Sequence, residues 1–200
     1  MTNQELRQRL YGVVALATDY CVTLENASET PRNEFLVKML NLLPRLYLEF
    51  LDIAPDARRG NPADTDAEEE YEDAFDEFSP VRLEEDEEPQ YFSDYVDEDY
   101  YDSVRRHIEG LLGPDDVYLE TFEEDMKYSD TPIGASISES LADIFQTLYN
   151  FISVVKDSEG EHLEPAYKEC RENFTAYWGQ TLCNVMRALN NVYFNYPERD

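Results

Sequence analysis

Two strongly patterned helical stretches in the last third of the chain, from Ser136 to Tyr196, constrain the fold more than any other feature. In both ISESLADIFQTLYNFISVV and AYKECRENFTAYWGQTLCNVMRALNNVYF, apolar residues recur at steps of three and four residues. This spacing places the apolar side chains in one stripe along an α-helix. Because only a short break at Asp157–Gly160 separates the two stretches, the pattern predicts an antiparallel helical hairpin.

Similar stripes occur in the first half of the chain. The spacing of the apolar residues from Leu6 to Leu24 predicts a helix that ends near Asn26, and Thr30-Pro31 has the composition of a helix start. Pro44 lies inside the second stripe and predicts a kink in the preceding turn, because proline removes one backbone donor. Asp99–Leu112 forms a further stripe, and no stretch alternates cleanly as a strand would. We therefore predict an all-α fold, a single-domain bundle of about five or six helices spanning residues 1–200, with a kinked second helix.

Residues 56–97 differ in kind and predict an acidic, partly irregular insertion within this domain. From residue 64 to 102 there are 19 Asp and Glu residues and one basic residue, Arg82, a net charge of −18. Like charges at this density oppose compact packing. The segment also carries apolar side chains, so an ordered loop around a short helix at 68–78 and full disorder both remain open. The aromatic residues that could anchor a partner here are Tyr71, Phe75, Phe78, Tyr91, Phe92 and Tyr95.

The charge of the whole chain limits its partners. With 16 Lys and Arg against 45 Asp and Glu, the net charge is −29. Nucleic-acid phosphates and anionic lipids are bound mainly through Lys and Arg, so we expect no nucleic-acid or membrane partner. A basic protein is the partner that this charge favours. The odd number of cysteines argues against a disulfide framework, and no stretch is apolar enough to span a membrane, which together predict a cytoplasmic protein.

No catalytic motif occurs in the sequence, and carboxylates are its only abundant reactive groups. There is no HExxH, CxxC, GxSxG or glycine-rich phosphate loop, so we assign no catalytic residue and no cofactor. Glu139 and Asp143 lie four residues apart on one helix face and could together hold Mg²⁺. The segment ESLADIF is superficially similar to a segment of the all-α nucleoside triphosphate pyrophosphohydrolases. The EExxE sequence at 68–72 lies too far upstream to complete such a site, so the two carboxylates are better explained as favourable charges in a first helical turn.

A closer resemblance covers most of residues 30–195. The segments SISESLADIFQTL and FTAYWGQTLCNVMRALN, preceded by LLPRLYLEF and HIEGLLGPDDVYLETF, resemble in order and spacing a bacterial family, domain of unknown function 5063. The resemblance implies an all-α fold and no known activity. The family often has histidines around its Trp-Gly pair, where this chain has Tyr177 and Thr181. Arg187 also resembles a family position and could form a polar network with Asp143, structural or functional.

These observations predict a non-enzymatic interaction domain that uses an acidic surface with aromatic anchors. The alternative is a divergent or degenerate Mg-dependent hydrolase of the pyrophosphohydrolase type. The sequence leaves the oligomeric state open.

Overall fold

The computed structural model describes residues 3–52, 94–120 and 133–195, and its helices follow the apolar stripes of the sequence. A π-helical segment, Phe174–Trp178, joins the last two α-helices without a break, and short 3-10 turns occupy Ala27–Glu29 and Gly113–Asp116. The predicted all-α fold is confirmed. The α-helices in these ranges are α1 (Asn3–Glu25), α2 (Arg32–Asp52), α3 (Glu98–Leu112), α4 (Ile137–Asp157), α5 (Leu163–Asn173) and α6 (Gly179–Asn195).

The predicted helical hairpin forms, with α4 as its first arm and α5 to α6 as its second. Helix α4 begins where the side chain of Ser136 accepts the backbone N–H of Glu139 at 3.2 Å, which satisfies one of the free donors of the first turn. The turn after α4 needs positive φ angles at Glu159 (51°) and Gly160 (85°). A side chain at Gly160 would also meet the hydroxyl of Tyr11 at 2.7 Å. Helix α4 lies at the centre of the bundle and packs against α1, α3, α5 and α6.

An aromatic cluster joins α2 to the second arm of the hairpin. Trp178 is fully buried, and its ring packs edge-on against Phe50 and Phe174, with centroids 4.8 and 4.7 Å away. Its indole N–H donates to the carbonyl of Cys170 at 3.2 Å. Phe50 also stacks on Tyr167 at 5.4 Å. The core between α2 and the hairpin is therefore built from aromatic rings with one polar contact satisfied inside it.

The expectation that the chain contains no strands was wrong in one place. Val117–Leu119 pairs antiparallel with Gly134–Ser136, with Tyr118 opposite Ala135. Three residues are too few to show the alternation that identifies a strand in sequence. The paired strands place the side chain of Tyr118 against the core, where its hydroxyl lies 3.1 Å from that of Ser140.

Helix α2 continues through Pro44, as the sequence predicts, while the kink in the preceding turn stays a prediction. The organisation as one domain with an insertion at 56–97 also stays a prediction, because only its end, residues 94–97, lies within the described ranges. None of the helices in those ranges is long and apolar enough to cross a membrane.

Candidate functional site

Asp143, one of the two carboxylates that the sequence singles out, lies half-buried on α4 between two tyrosines. Its Oδ1 accepts the hydroxyl of Tyr101 from α3 at 2.6 Å, and its Oδ2 accepts the hydroxyl of Tyr177 at 2.7 Å. We call these three residues the Tyr–Asp–Tyr cluster. Each carboxylate oxygen thus has a neutral donor, and each retains lone pairs for a further donor.

Both tyrosines of this cluster stay protonated at neutral pH. Burial, followed by the hydrogen bond to Asp143, raises the pKa of Tyr177 to about 12 and moves the pKa of Tyr101 higher still. The negative charge of Glu139 acts in the same direction on both tyrosines. The hydroxyls therefore serve as hydrogen-bond donors that orient the carboxylate of Asp143.

The π-helical segment places Tyr177 at Asp143. A π-helical turn adds a residue to the α-helical repeat and changes the direction in which the following side chains point. At its end lies Gly179, where a Cβ atom would sit 2.6 Å from the carbonyl oxygen of Phe174 and 3.0 Å from its ring. The sequence suggests a close approach of a neighbouring helix at this glycine. The structure shows instead that the close contact comes from the preceding turn of the same helix.

We expect Gly179→Ala to lower the free energy of unfolding by about 2 kcal/mol, because the added methyl group forces the Phe174 carbonyl to move. Urea denaturation followed by circular dichroism measures the loss. Gly110→Ala is the matched control, since a Cβ at Gly110 meets nothing within 4 Å and alanine favours a helix interior. Equal stability of the wild type and Gly179→Ala would contradict the expectation.

The network predicted between Asp143 and Arg187 does not form. Arg187 donates to the carbonyl of Leu119 at 2.8 Å and so ties α6 to the short strand pair. Among the described residues, no hydrogen bond or ion pair joins it to Asp143. The hydrogen-bond partners that Asp143 does have are Tyr101 and Tyr177, which lie 42 and 34 residues away in sequence. Helical spacing therefore does not predict these contacts.

Glu139 and Asp143, the two residues proposed to hold Mg²⁺, both raise the pKa of Tyr101 and of Tyr177. The described residues add no third metal ligand to this pair. Within residues 3–52, 94–120 and 133–195, no group of three or more His, Cys, Asp or Glu side chains could hold a metal ion. The EExxE sequence at 68–72 lies outside the described residues.

Next to the Tyr–Asp–Tyr cluster, a cleft of about 230 Å³ runs between α4 and α5. We call it the acidic cleft, because the charged residues in its lining, Asp94 and Glu169, are both carboxylates. Burial, then the charges of Glu172 and Asp94, raise the pKa of Glu169. The polar lining is completed by Gln146, Thr147, Asn150 and Asn173, and the apolar lining consists of Phe151, Val154, Ala166 and Cys170.

One end of the acidic segment is held at this cleft. The side chain of Asn150 accepts the backbone N–H of Tyr95 at 2.8 Å and donates to Asp94 at 3.0 Å. A hydrogen bond to Asp157 raises the pKa of the Tyr95 side chain, which is half-buried against the core. Tyr95, one of the proposed partner anchors, is thus held by contacts with Asn150 and Asp157 of its own chain. The other proposed anchors, Tyr71, Phe75, Phe78, Tyr91 and Phe92, lie outside the described residues.

Comparison with known proteins identifies the family. The domain of unknown function DUF5063 matches the chain over residues 4–85 and 76–195. The chain belongs to this family. The fold of this DUF5063 protein is similar to the crystal structure of protein BF1032 from Bacteroides fragilis, a Northeast Structural Genomics Consortium target. The sequences are 28% identical, the TM-score is 0.63, and the match covers 94% of each chain. No curated protein matches the chain.

The resemblance to the DUF5063 family predicted from the sequence is therefore confirmed. Tyr177 and Thr181 lie on either side of Trp178-Gly179. Tyr177 donates to Asp143, and Thr181 donates to the carbonyl of Tyr177 at 3.5 Å. Tyr177 and Thr181 thus supply hydroxyl groups that are held in place by hydrogen bonds.

Proposed function

We propose that this protein is a non-enzymatic interaction domain whose acidic cleft receives a basic side chain of a partner protein. The acidic cleft carries the proposal. Among the described residues, its charged lining consists of two carboxylates and includes no Lys, Arg or His, on a chain whose net charge is −29. A cation entering the cleft would meet both carboxylates at once.

The electrostatics of the cleft favour such a cation. The raised pKa of Glu169 means that its carboxylate is held near other negative charges and partly out of water. A guanidinium or ammonium group between Glu169 and Asp94 would relieve that repulsion. The negative charge of the whole chain would also speed the encounter with a basic partner.

The size and lining of the cleft suit one long basic side chain. Its volume of about 230 Å³ lies below the roughly 300–1,000 Å³ of most small-molecule sites. Phe151, Val154 and Ala166 would contact the methylene groups of a lysine or arginine, while Asn150 and Gln146 lie at polar positions. The partner's remaining basic residues would lie along the acidic surface that leads into the cleft.

We expect a fluorescent oligoarginine peptide to bind the protein, and Glu169→Gln to weaken the binding about fivefold, in line with ~1 kcal/mol for one partly exposed charge pair. Fluorescence anisotropy measures the affinity. The same substitution should raise the thermal midpoint slightly. Protonation of Glu169 stabilises the fold below the usual pKa of glutamate, and this stabilisation is lost as the pH rises through the raised value. A neutral amide retains it at neutral pH.

Glu34→Gln is the matched control, because it removes one exposed carboxylate from the first turn of α2, a helix that packs against α1 and α6. We expect this variant to bind the peptide like the wild type. Equal weakening by both substitutions would show that only net charge matters, and an absence of peptide binding would overturn the proposal.

Cytoplasmic location is part of the same proposal, and the three free cysteines of the chain support it, since disulfides are rare in reducing compartments. The alternative function, an Mg-dependent hydrolase, gains no support from the described residues. Both oxygens of Asp143 accept tyrosine hydroxyls, and no third ligand lies with Glu139 and Asp143.

A further inference from the structure

An apolar groove lies between α2 and α6, on helices that do not line the acidic cleft. Its volume is about 530 Å³, and we call it the α2/α6 groove. The two helices run antiparallel, because Phe50 at the end of α2 contacts Trp178 just before α6, while Val37 and Phe194 both line the groove. Its apolar lining consists of Val37, Leu40, Pro44, Met186, Tyr193 and Phe194.

The apolar surface extends beyond the groove along α2. Leu48 and Leu51 continue the exposed stripe of Val37 and Pro44 at steps of three and four residues, with exposures of 54% and 49%. From Val37 to Leu51 the stripe is roughly 21 Å long at 1.5 Å per residue. An apolar ridge of this length beside a groove is the kind of surface into which an amphipathic helix docks.

The charges around the groove differ from those of the rest of the protein. None of the described residues that line it is Asp or Glu, although the chain contains 45 acidic residues. Arg187 lies in the lining, and the exposed Arg45 follows Asn41 of the groove by one helical turn. The guanidinium of Arg187 uses one amino group for the Leu119 carbonyl and has further donors. The groove is thus apolar in its middle and cationic at its edges.

We propose that the α2/α6 groove binds an amphipathic helix of a partner protein, with an apolar stripe facing Met186 and Pro44 and with carboxylates that reach Arg187 and Arg45. Charge complementarity selects this occupant. A second copy of the chain would bring another −29 charges to the interface, and a basic helix would place its cations against the two arginines.

This binding has a salt dependence of its own. The net charge of the protein repels an acidic helix at long range, and salt screens this repulsion, whereas apolar burial changes little with salt. Affinity at the groove should therefore hold or rise between about 0.02 M and 0.15 M salt. Binding of oligoarginine at the acidic cleft should weaken over the same range. The two proposed sites can thus be told apart, and the failure of one leaves the other standing.

The test uses a designed peptide of about 15 residues, with leucines at helical spacing and glutamates beside the leucine stripe. Its binding is followed by fluorescence anisotropy at physiological salt. We expect Phe194→Glu to weaken the binding by at least about tenfold, because it places an unpaired carboxylate in the apolar groove. Phe194 is 66% exposed, so the substitution leaves the fold intact. Val117→Glu is the matched control, since Val117 is 69% exposed and lies on the strand pair rather than in the groove.

Cys183 provides a second readout, because it is exposed and lines the groove, whereas Cys21 and Cys170 are buried. The peptide should slow alkylation of Cys183 by iodoacetamide. The proposal is overturned if a peptide with lysines in place of the glutamates protects Cys183 equally well, or if Phe194→Glu binds as the wild type does. Without peptide, alkylation that slows as the protein concentration rises would assign the groove to a second copy. Slow alkylation at every concentration would assign it to a segment of the same chain.

Discussion

Trp178→Ala is expected to lower the free energy of unfolding by about 4 kcal/mol, which is within the range for a buried aromatic residue. Trp178 is fully buried and contacts Phe50 of α2 and Phe174 of the π-helical segment. Its removal leaves a cavity at the junction of these helices. It also leaves the Cys170 carbonyl without its indole donor, which adds a desolvation penalty.

Urea denaturation followed by far-ultraviolet circular dichroism measures this loss, because the variant no longer contains a tryptophan for fluorescence. Trp178→Phe keeps a ring in the cavity and removes the indole donor, so we expect it to cost about half as much. Tyr177→Phe is the neighbouring control. Its ring is 55% exposed, and the substitution removes only the hydroxyl that reaches Asp143. If Trp178→Ala and Tyr177→Phe had the same effect, the aromatic cluster would not be the main support of this junction.

The parts of the fold that sequence predicts are those set by local periodicity. The stripes from Ser136 onward show the hairpin because burying one face of a helix needs residues three and four apart, whatever the neighbouring helix is. The capping hydroxyl of Ser136 is also a local signal, and it accepts the backbone N–H of Glu139. The π-helical segment gives no such signal, because the apolar residues Phe174, Trp178 and Leu182 keep four-residue steps across it.

The candidate site, in contrast, is formed by residues that lie far apart in sequence. The sequence marks Asp143 as a carboxylate on an otherwise apolar helix, but its partners come from α3 and from the π-helical segment. The resemblance to the family suggests Arg187 as a partner for Asp143. Its guanidinium donates to a backbone carbonyl of the strand pair. The sequence does not predict this contact, because strands of three residues are too short to be recognised in it. Contacts between residues far apart in sequence depend on helix packing, which no single stretch encodes.

Composition predicts the sign of the protein's charge but not where that charge matters. The acidic excess is densest in residues 64–102, yet the described carboxylates that share a cleft, Asp94 and Glu169, come from the end of that segment and from α5. The apolar stripe of the second helix likewise predicts burial. In the structure Leu48 and Leu51 remain exposed, because α2 has more apolar surface than α1 and α6 can cover.

Asp115→Asn is expected to lower the free energy of unfolding by about 3 kcal/mol, although the substitution changes little in size. Asp115 lies in the 3-10 turn after α3 and forms an ion pair with Arg32, the first residue of α2, at 2.7 Å. The two side chains are only 6% and 11% exposed. A neutral amide removes the charge that Asp115 places beside the buried guanidinium, so less of the energy of desolvating Arg32 is recovered.

The turn that contains Asp115 connects three helices. Loss of the ion pair should therefore also weaken the contacts between these helices. The adjacent Asp116 accepts both the backbone N–H and the hydroxyl of Ser138 in the first turn of α4, at 2.8 and 2.7 Å. Two neighbouring aspartates therefore link the end of α3 to the starts of α2 and α4. If Asp115 is bound less tightly, the position of Asp116 at α4 should loosen as well.

Urea is the suitable denaturant for Asp115→Asn, because guanidinium is a salt and would screen the ion pair. Asp102→Asn is the matched control. Asp102 pairs with Arg106 at 2.6 Å on the surface of α3, with side-chain exposures of 37% and 67%, so we expect a loss below about 1 kcal/mol. Arg32→Met combined with Asp115→Leu should cost less than the sum of the two single changes, since removing both charges together leaves neither one buried alone. A strictly additive result would mean that the ion pair does not hold the turn in place, and that its buried position has another cause.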